Sequence, residues 1–314
     1  MGQISADAVL RYRDRSWWLG AFGVLEVLLG LFLAALIPLL LLAQAAVDDE
    51  ARPSGYVLQG VLIYGLLGAT FIWLGIGSFR CRRWARSLLL ALAWNWLAAG
   101  ATGLLIGGFL LPKLLESVPE GAKGIVTGVI GIFAAIFLGV PVVLIAFYRS
   151  DDVRATCEAR DPGPSWVATV PVPVLMGSIW CGVAALGAVS MGFMSNSVLP
   201  FFGLLLSGAP GLAANLLLAC AWGYSAVGLL RLRPAAWWLA TSLLAGMTVS
   251  VAVTFSRVDL AEMYGLMGYG EQVIAQTQAL GSSVLWWSAL ALVPVVGYFL
   301  WLRRYFVYCG GNRP

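Results

Sequence analysis

A chain of 314 residues that is 61% hydrophobic and 11% charged, with a mean hydropathy of +0.88, excludes an ordinary water-soluble domain, which carries about 25% charged and 45–50% apolar residues. The net charge is +4, from 19 basic and 15 acidic residues. The basic residues stand in short clusters between apolar runs, which excludes a nucleic-acid surface and leaves the lipid bilayer as the partner that fits the composition.

The first feature along the chain is the basic stretch from Arg11 to Arg15, followed by about thirty apolar residues, far more than the 7–15 of a cleavable signal. A helix needs roughly 20 apolar residues to cross the hydrocarbon core. Eight runs meet that length, at 17–46, 57–79, 87–111, 124–148, 168–194, 200–230, 235–256 and 283–302. Their apolar residues surround the helix rather than forming one stripe, as lipid-immersed helices do. Strict alternation, the mark of a membrane barrel, is missing. Pro200 and Pro210 suggest a re-entrant start to the sixth run. The predicted fold is all-α: a polytopic integral membrane helix bundle of eight transmembrane helices in two parallel four-helix repeats. Its units are residues 1–148 and 167–314, joined by a cytoplasmic linker at 149–166.

Orientation follows from the loops. With the N-terminus inside, the inner segments hold Arg11, Arg13 and Arg15, then Arg80, Arg82, Arg83 and Arg86, then Arg149, Arg154 and Arg160, then Arg231 and Arg233, and last Arg303, Arg304 and Arg313. The outer segments hold Arg52, Lys113, Lys123 and Arg257. This bias places both termini in the cytoplasm. Trp17, Trp18, Trp84, Trp166, Trp237, Trp238, Trp301 and Tyr305 fall near inner boundaries, and Trp286 and Trp287 near an outer one, at the headgroup level such rings prefer. Arg outnumbers Lys 17 to 2, which with the many Ala, Gly and Leu suggests a GC-rich bacterial genome and an inner membrane.

Two matches argue for duplication. Val140-Pro141-Val142-Val143 recurs as Val293-Pro294-Val295-Val296, and Gly77-x-x-Arg80-x-Arg82 recurs as Gly228-x-x-Arg231-x-Arg233. Four helices per unit would leave both copies facing the same way, unlike the inverted repeats of many transporters.

Few residues could carry chemistry. The chain has no histidine, which removes the commonest general base and metal ligand. No catalytic residue, metal-ligand set or cofactor motif is predicted. The five cysteines, Cys81, Cys157, Cys181, Cys220 and Cys309, all avoid the outer loops, so no disulfide is expected. Glu26 is the one ionisable residue deep inside an apolar run, about 16 Å past Arg15. A charge there costs at least ~2.5 kcal/mol, so burial favours the neutral acid. Its functional reading is a proton or cation site. Its packing reading is a protonated acid hydrogen-bonded to a neighbouring helix, with Asn95 as the expected partner. The repeat weakens the functional reading, because Ser178 occupies the matching position of the second half. Asn95 and Asn215 are polar-core candidates of the kind that usually hold helices together, at about 0.6 kcal/mol each.

Gly103-x-x-x-Gly107, Gly124-x-x-x-Gly128 and the ridge Gly131, Ala135, Gly139 are small-residue patterns that let helix backbones approach. In the linker, Arg154 and Glu158 are four apart, which predicts a short solvated helix ending before Pro162. That segment is a plain linker or a docking surface for a cytoplasmic partner.

The run Val153-x-Ala155-Thr156-Cys157-Glu158-x-x-Asp161-Pro162, then Trp166 and Pro171-x-Pro173-Val174-Leu175, resembles a stretch in uncharacterised bacterial multi-pass membrane proteins. The resemblance covers the linker and the start of the second half and implies no activity. Three function classes stay open: a structural or accessory membrane subunit with homo-oligomer or membrane-complex partners; a transporter or channel using Glu26; and a membrane-embedded enzyme.

Overall fold

The computed structural model describes residues 13–45, 56–116, 118–163, 166–193, 195–271, 274–275 and 283–307. Arg11, Arg52, Cys309 and Arg313, with the side chains of Lys113, Trp286 and Trp287, lie outside the described residues.

The first half holds α1 (Ser16–Ala45), α2 (Tyr56–Phe79), α3 (Arg83–Glu116) and α4 (Glu120–Arg149). A short helix α5 (Asp151–Arg160) and a single turn α6 (Trp166–Thr169) follow. The second half holds α7 (Val172–Gly192), α8 (Gly208–Leu230), α9 (Pro234–Phe255), a short α10 (Leu260–Leu266), α11 (Ser283–Leu302) and a terminal turn α12 (Arg304–Val307). Among the described residues seven helices, α1 to α4 and α7 to α9, are long and apolar enough to cross a membrane. They mark a multi-pass membrane protein. The eighth predicted run coincides with α11, whose side chains from 283 to 291 lie outside the description.

Prolines set several helix starts, because the first turn has no use for the N–H they lack. Pro119 and Pro171 precede α4 and α7, and Pro234 opens α9. Pro171 also explains why the fifth run, expected from 168, splits into α6 and α7. The sixth run departs further from expectation. Residues 199–206 form an antiparallel hairpin, β1 (Leu199–Phe201) against β2 (Leu204–Leu206), with Pro200 opposite Leu205. The helix then starts at Gly208, so Pro200 lies in a strand and Pro210 in the first helical turn. The hairpin turn is fixed from α9: Ser250 Oγ accepts from the Phe202 N–H at 2.9 Å and Thr254 Oγ1 from the Gly203 N–H at 2.9 Å. Backbone groups that would otherwise be unsatisfied in an apolar setting are thereby paired.

One π-turn, Ala135–Gly139, interrupts α4 just before Pro141. Pro141 cannot donate to the Phe137 carbonyl, and its ring crowds that oxygen. The freed carbonyl faces Gly100 of α3, where an added Cβ would lie 2.6 Å from it.

The antiparallel pair α1–α2 is the most intimate in the first half, and glycines explain why. A Cβ on Gly23 would stand 2.7 Å from the Gly75 carbonyl, and one on Gly30 would stand 2.7 Å from the Gly68 carbonyl. The predicted packing glycines are not these. Gly103, Gly107, Gly124, Gly128, Gly131 and Gly139 have nothing within 4 Å of a Cβ position among the described residues. All six are exposed, so none of them packs against a described helix.

The buried core lies toward the end of the bundle that carries Arg80–Arg86, the linker and Arg231–Arg233, called here the basic end. Leu19, Leu74, Leu89, Leu90, Ile145 and Tyr148 meet there in the first half, and Val174, Leu175, Trp222, Leu229, Trp237 and Phe299 in the second. Helix α3 packs against both sets, with Trp84 and Leu88 touching each. Of the expected interfacial aromatics, Trp17, Trp18, Trp166, Trp238 and Trp301 are exposed, but Trp237 is buried and donates its indole N–H to the Phe299 carbonyl at 2.6 Å.

The turns joining α2 to α3 and α8 to α9 are built alike. Arg82 N–H bonds the Gly77 carbonyl and Cys81 N–H the Ser78 carbonyl, each at 2.9 Å. Arg233 bonds Gly228 and Leu232 bonds Leu229, again at 2.9 Å. This is the paired closure of a Schellman cap, with Cys81 at φ 53° and Leu232 at φ 52° in the left-handed position. The two Val-Pro-Val-Val segments are less alike: Pro141 is buried and Pro294 is exposed.

Candidate functional site

Glu26 sits on the buried face of α1, 8% exposed. Its partner is Tyr148 near the end of α4, whose hydroxyl donates to Oε1 at 2.8 Å. The Tyr148 ring is fully buried, with Phe22 and Phe147 beside it. Ser78, at the end of α2, places its Oγ 3.0 Å from the Tyr148 hydroxyl and 3.3 Å from the Leu19 carbonyl. Helices α1, α2 and α4 thus converge on one buried polar chain, Glu26–Tyr148–Ser78. The second carboxyl oxygen, Oε2, is buried and has no hydrogen-bond partner.

Counting protons shows what the chain can do. Ser78 and Tyr148 each carry one hydroxyl proton. With Tyr148 donating to Glu26, Ser78 donates to Tyr148 or to the Leu19 carbonyl. If Glu26 carries a proton, the order reverses: Glu26 donates to Tyr148, Tyr148 to Ser78, and Ser78 to Leu19. Both orders satisfy the two hydroxyls.

The expected Glu26–Asn95 pair does not form. Asn95 Nδ2 instead donates to the Ala91 carbonyl at 3.1 Å and to the Met176 carbonyl of α7 at 3.3 Å. It therefore ties the first half to the second. Asn215 is buried, and its Nδ2 donates to the Gly211 carbonyl at 3.0 Å and the Ser197 carbonyl at 3.4 Å. It holds the turn before the hairpin, where Asn196 and Ser197 have φ of 54° and 56°, onto α8. Ser178, the residue expected to match Glu26, donates to the Ala226 carbonyl at 2.8 Å. The three sequence-selected residues lie in three separate places. Tyr148 and Ser78 were missed. Nothing in the sequence links positions 122 apart.

At the basic end α5 closes over the first half. The linker helix forms where expected and ends at Arg160 before Pro162, with Arg154 Nε donating to Glu158 Oε1 at 2.9 Å. Ser150 caps its start by accepting from the Val153 N–H. The helix is not solvated all round: Val153, Thr156 and Cys157 are buried. Thr156 Oγ1 accepts from Arg15 N–H at 3.1 Å, and Asp161 accepts from the Arg82 guanidinium at 2.9 Å and the Arg83 N–H at 3.1 Å. Arg160 pairs with Asp14 at 3.2 Å. The Ser16 N–H, bonded to the Asp14 carboxylate, holds that carboxyl below its ordinary range, and burial pushes the Cys157 thiol up to about 12. Cys81, Cys157, Cys181 and Cys220 are free thiols, and no group of three or more metal-ligating side chains occurs among the described residues.

No family model matches the chain, and no curated protein and no solved structure matches it either. The resemblance of residues 153–175 to multi-pass membrane proteins therefore brings no activity with it.

Proposed function

We propose that the chain is a structural or accessory subunit of a membrane assembly, built of eight transmembrane helices in two parallel four-helix units with both termini and the linker cytoplasmic in a bacterial inner membrane. The observation that carries this reading is the outward face of α4. Gly124, Gly128, Gly131, Ala135 and Gly139 are all exposed there, and the four glycines meet nothing among the described residues. Small residues at this spacing let another helix approach to backbone contact. A ridge of this kind, untouched by the described residues of its own chain, suits the helix of a second copy or of a membrane partner. The interior polar groups Asn95 and Asn215 support the same reading, since both hold helices or turns in place.

The duplication rests on the two Schellman turns and on one further pair. Arg86 donates to the Tyr148 carbonyl at 2.9 Å as Trp237 donates to the Phe299 carbonyl at 2.6 Å, and each position is 151 residues from its counterpart.

The test is complex size in native membranes. Gly128→Leu and Gly131→Leu should reduce a higher-order species on a native gel to the monomer, while Gly182→Leu, half-buried but with open space at its Cβ position, should leave it intact. A wild-type chain that runs as a lone monomer under mild extraction would contradict the reading.

A second reading is favoured by one observation, the unpartnered Oε2 of Glu26. In that reading Glu26 accepts a proton or cation, and the Tyr148–Ser78 chain relays the change toward the basic end.

A further inference from the structure

Along the middle of α8 and α9, and up to the hairpin, lies a groove of about 580 Å³. Ala214, Leu217, Leu218 and Ala221 of α8 form one wall at i, i+3, i+4, i+7 spacing. The α9 wall runs from Leu239 to Val251, twelve helical steps or about 18 Å. That length is close to the roughly 15 Å depth of one hydrocarbon leaflet. Phe201 and Phe202 of the hairpin line the groove where it nears Ser250. The groove opens sideways: Leu217 is 72% exposed, and Phe201 and Phe202 are about half exposed. In a helix bundle that side faces acyl chains, not water.

Just past the end of α9 stands Arg257. Its side chain packs over the hairpin turn, so that a Cβ on Gly203 would lie 3.0 Å from Arg257 Cδ and 3.4 Å from Nη1. The guanidinium has no ion-pair or side-chain hydrogen-bond partner among the described residues. The apolar groove thus lies beside the hairpin turn over which Arg257 packs, six residues beyond the last α9 residue of its lining, and the guanidinium has no partner among the described residues. The complementary molecule has an apolar tail and an anionic head.

We propose that the groove between α8, α9 and the 199–206 hairpin is a binding site for one acyl chain of an anionic phospholipid, whose phosphate is held by Arg257. The site asks only that the chain be membrane-embedded, and stands apart from the subunit reading. Gly246 lines the groove and has open space at its Cβ position, so a larger residue there fills the slot without striking backbone. Ser242, exposed on the same wall, offers a second filling position.

The experiment reconstitutes the full chain into vesicles of equal phosphatidylglycerol and phosphatidylethanolamine, extracts it in mild detergent and counts retained lipids by native mass spectrometry. The wild type should keep one phospholipid per chain, with phosphatidylglycerol preferred. Gly246→Leu and Ser242→Leu should each lower that occupancy at least tenfold, and Gly182→Leu on α7 should not. Arg257→Gln should keep a lipid but reduce the preference for the anionic one about fivefold. Lipid retained equally by both filling variants, or lost equally from Gly182→Leu, overturns the site. Unchanged headgroup preference in Arg257→Gln overturns the role of Arg257. A lipid-free dimer that Gly246→Leu converts to monomer shows a second copy in the groove and overturns the proposal as well.

Discussion

The buried hydroxyl of Tyr148 decides how Glu26 is accommodated. Sequence reasoning located Glu26 correctly as a buried acid of α1 but chose Asn95 as its neighbour from equal depth alone. Depth along a helix is legible in a sequence, whereas which face of the next helix turns toward it depends on packing. Here the glycine contacts of α1 with α2 turn Glu26 toward Tyr148 and Ser78. Removing the Tyr148 hydroxyl should therefore cost more than turning the carboxyl into an amide. Tyr148→Phe leaves a buried carboxyl with no partner and should destabilise by about 1–3 kcal/mol. Glu26→Gln keeps an acceptor for Tyr148 and should change stability by less than that. Asn95→Leu should cost only about 0.6 kcal/mol, the usual worth of an interhelical polar contact. Thermal unfolding in a single detergent orders all three, and a silent Tyr148→Phe would show that the network does not form.

Among the elements, the apolar runs were legible because length and composition alone define a membrane helix, and α5 was legible from one Arg–Glu pair and one proline. The hairpin was not. Leu199–Phe201 and Leu204–Leu206 are as apolar as the helices around them, and their strand geometry depends on Ser250 and Thr254, some fifty residues on. The glycine contacts failed for a related reason. A small-residue spacing shows that a helix can be approached closely, but not that its own chain supplies the approach. Gly75→Ala should therefore destabilise by about 1–3 kcal/mol, because the new methyl meets the Gly23 backbone. Gly128→Ala should be neutral or stabilising by up to about 1 kcal/mol in the isolated chain. The cap helix gives a further expectation. With its thiol pushed up to about 12 by burial, Cys157 should react slowly with maleimide at pH 7–8, where the thiolate is scarce. Arg82→Gln loosens the Asp161 anchor and should speed that labelling severalfold. Asp14 contributes in the usual sense for a depressed carboxyl. Its stabilisation is full above its ordinary value of 3.8 and is lost as pH falls through the lower folded value, so acid should also speed cap opening.

For the whole molecule, the arginine distribution is the strongest argument about orientation and sets a direct labelling prediction. Ala159→Cys, exposed on α5, should resist a membrane-impermeant maleimide in intact cells. Gly121→Cys, exposed at the opposite end, should react. The reverse pattern would invert the proposed topology. In the proposed structural subunit the buried polar residues hold the bundle together and move no solute. Proton flux into proteoliposomes that trap a pH-sensitive dye, under an imposed pH gradient, separates this from transport. Wild type and Glu26→Gln should both leak protons no faster than protein-free vesicles. A wild-type flux that Glu26→Gln abolishes while folding normally would contradict it.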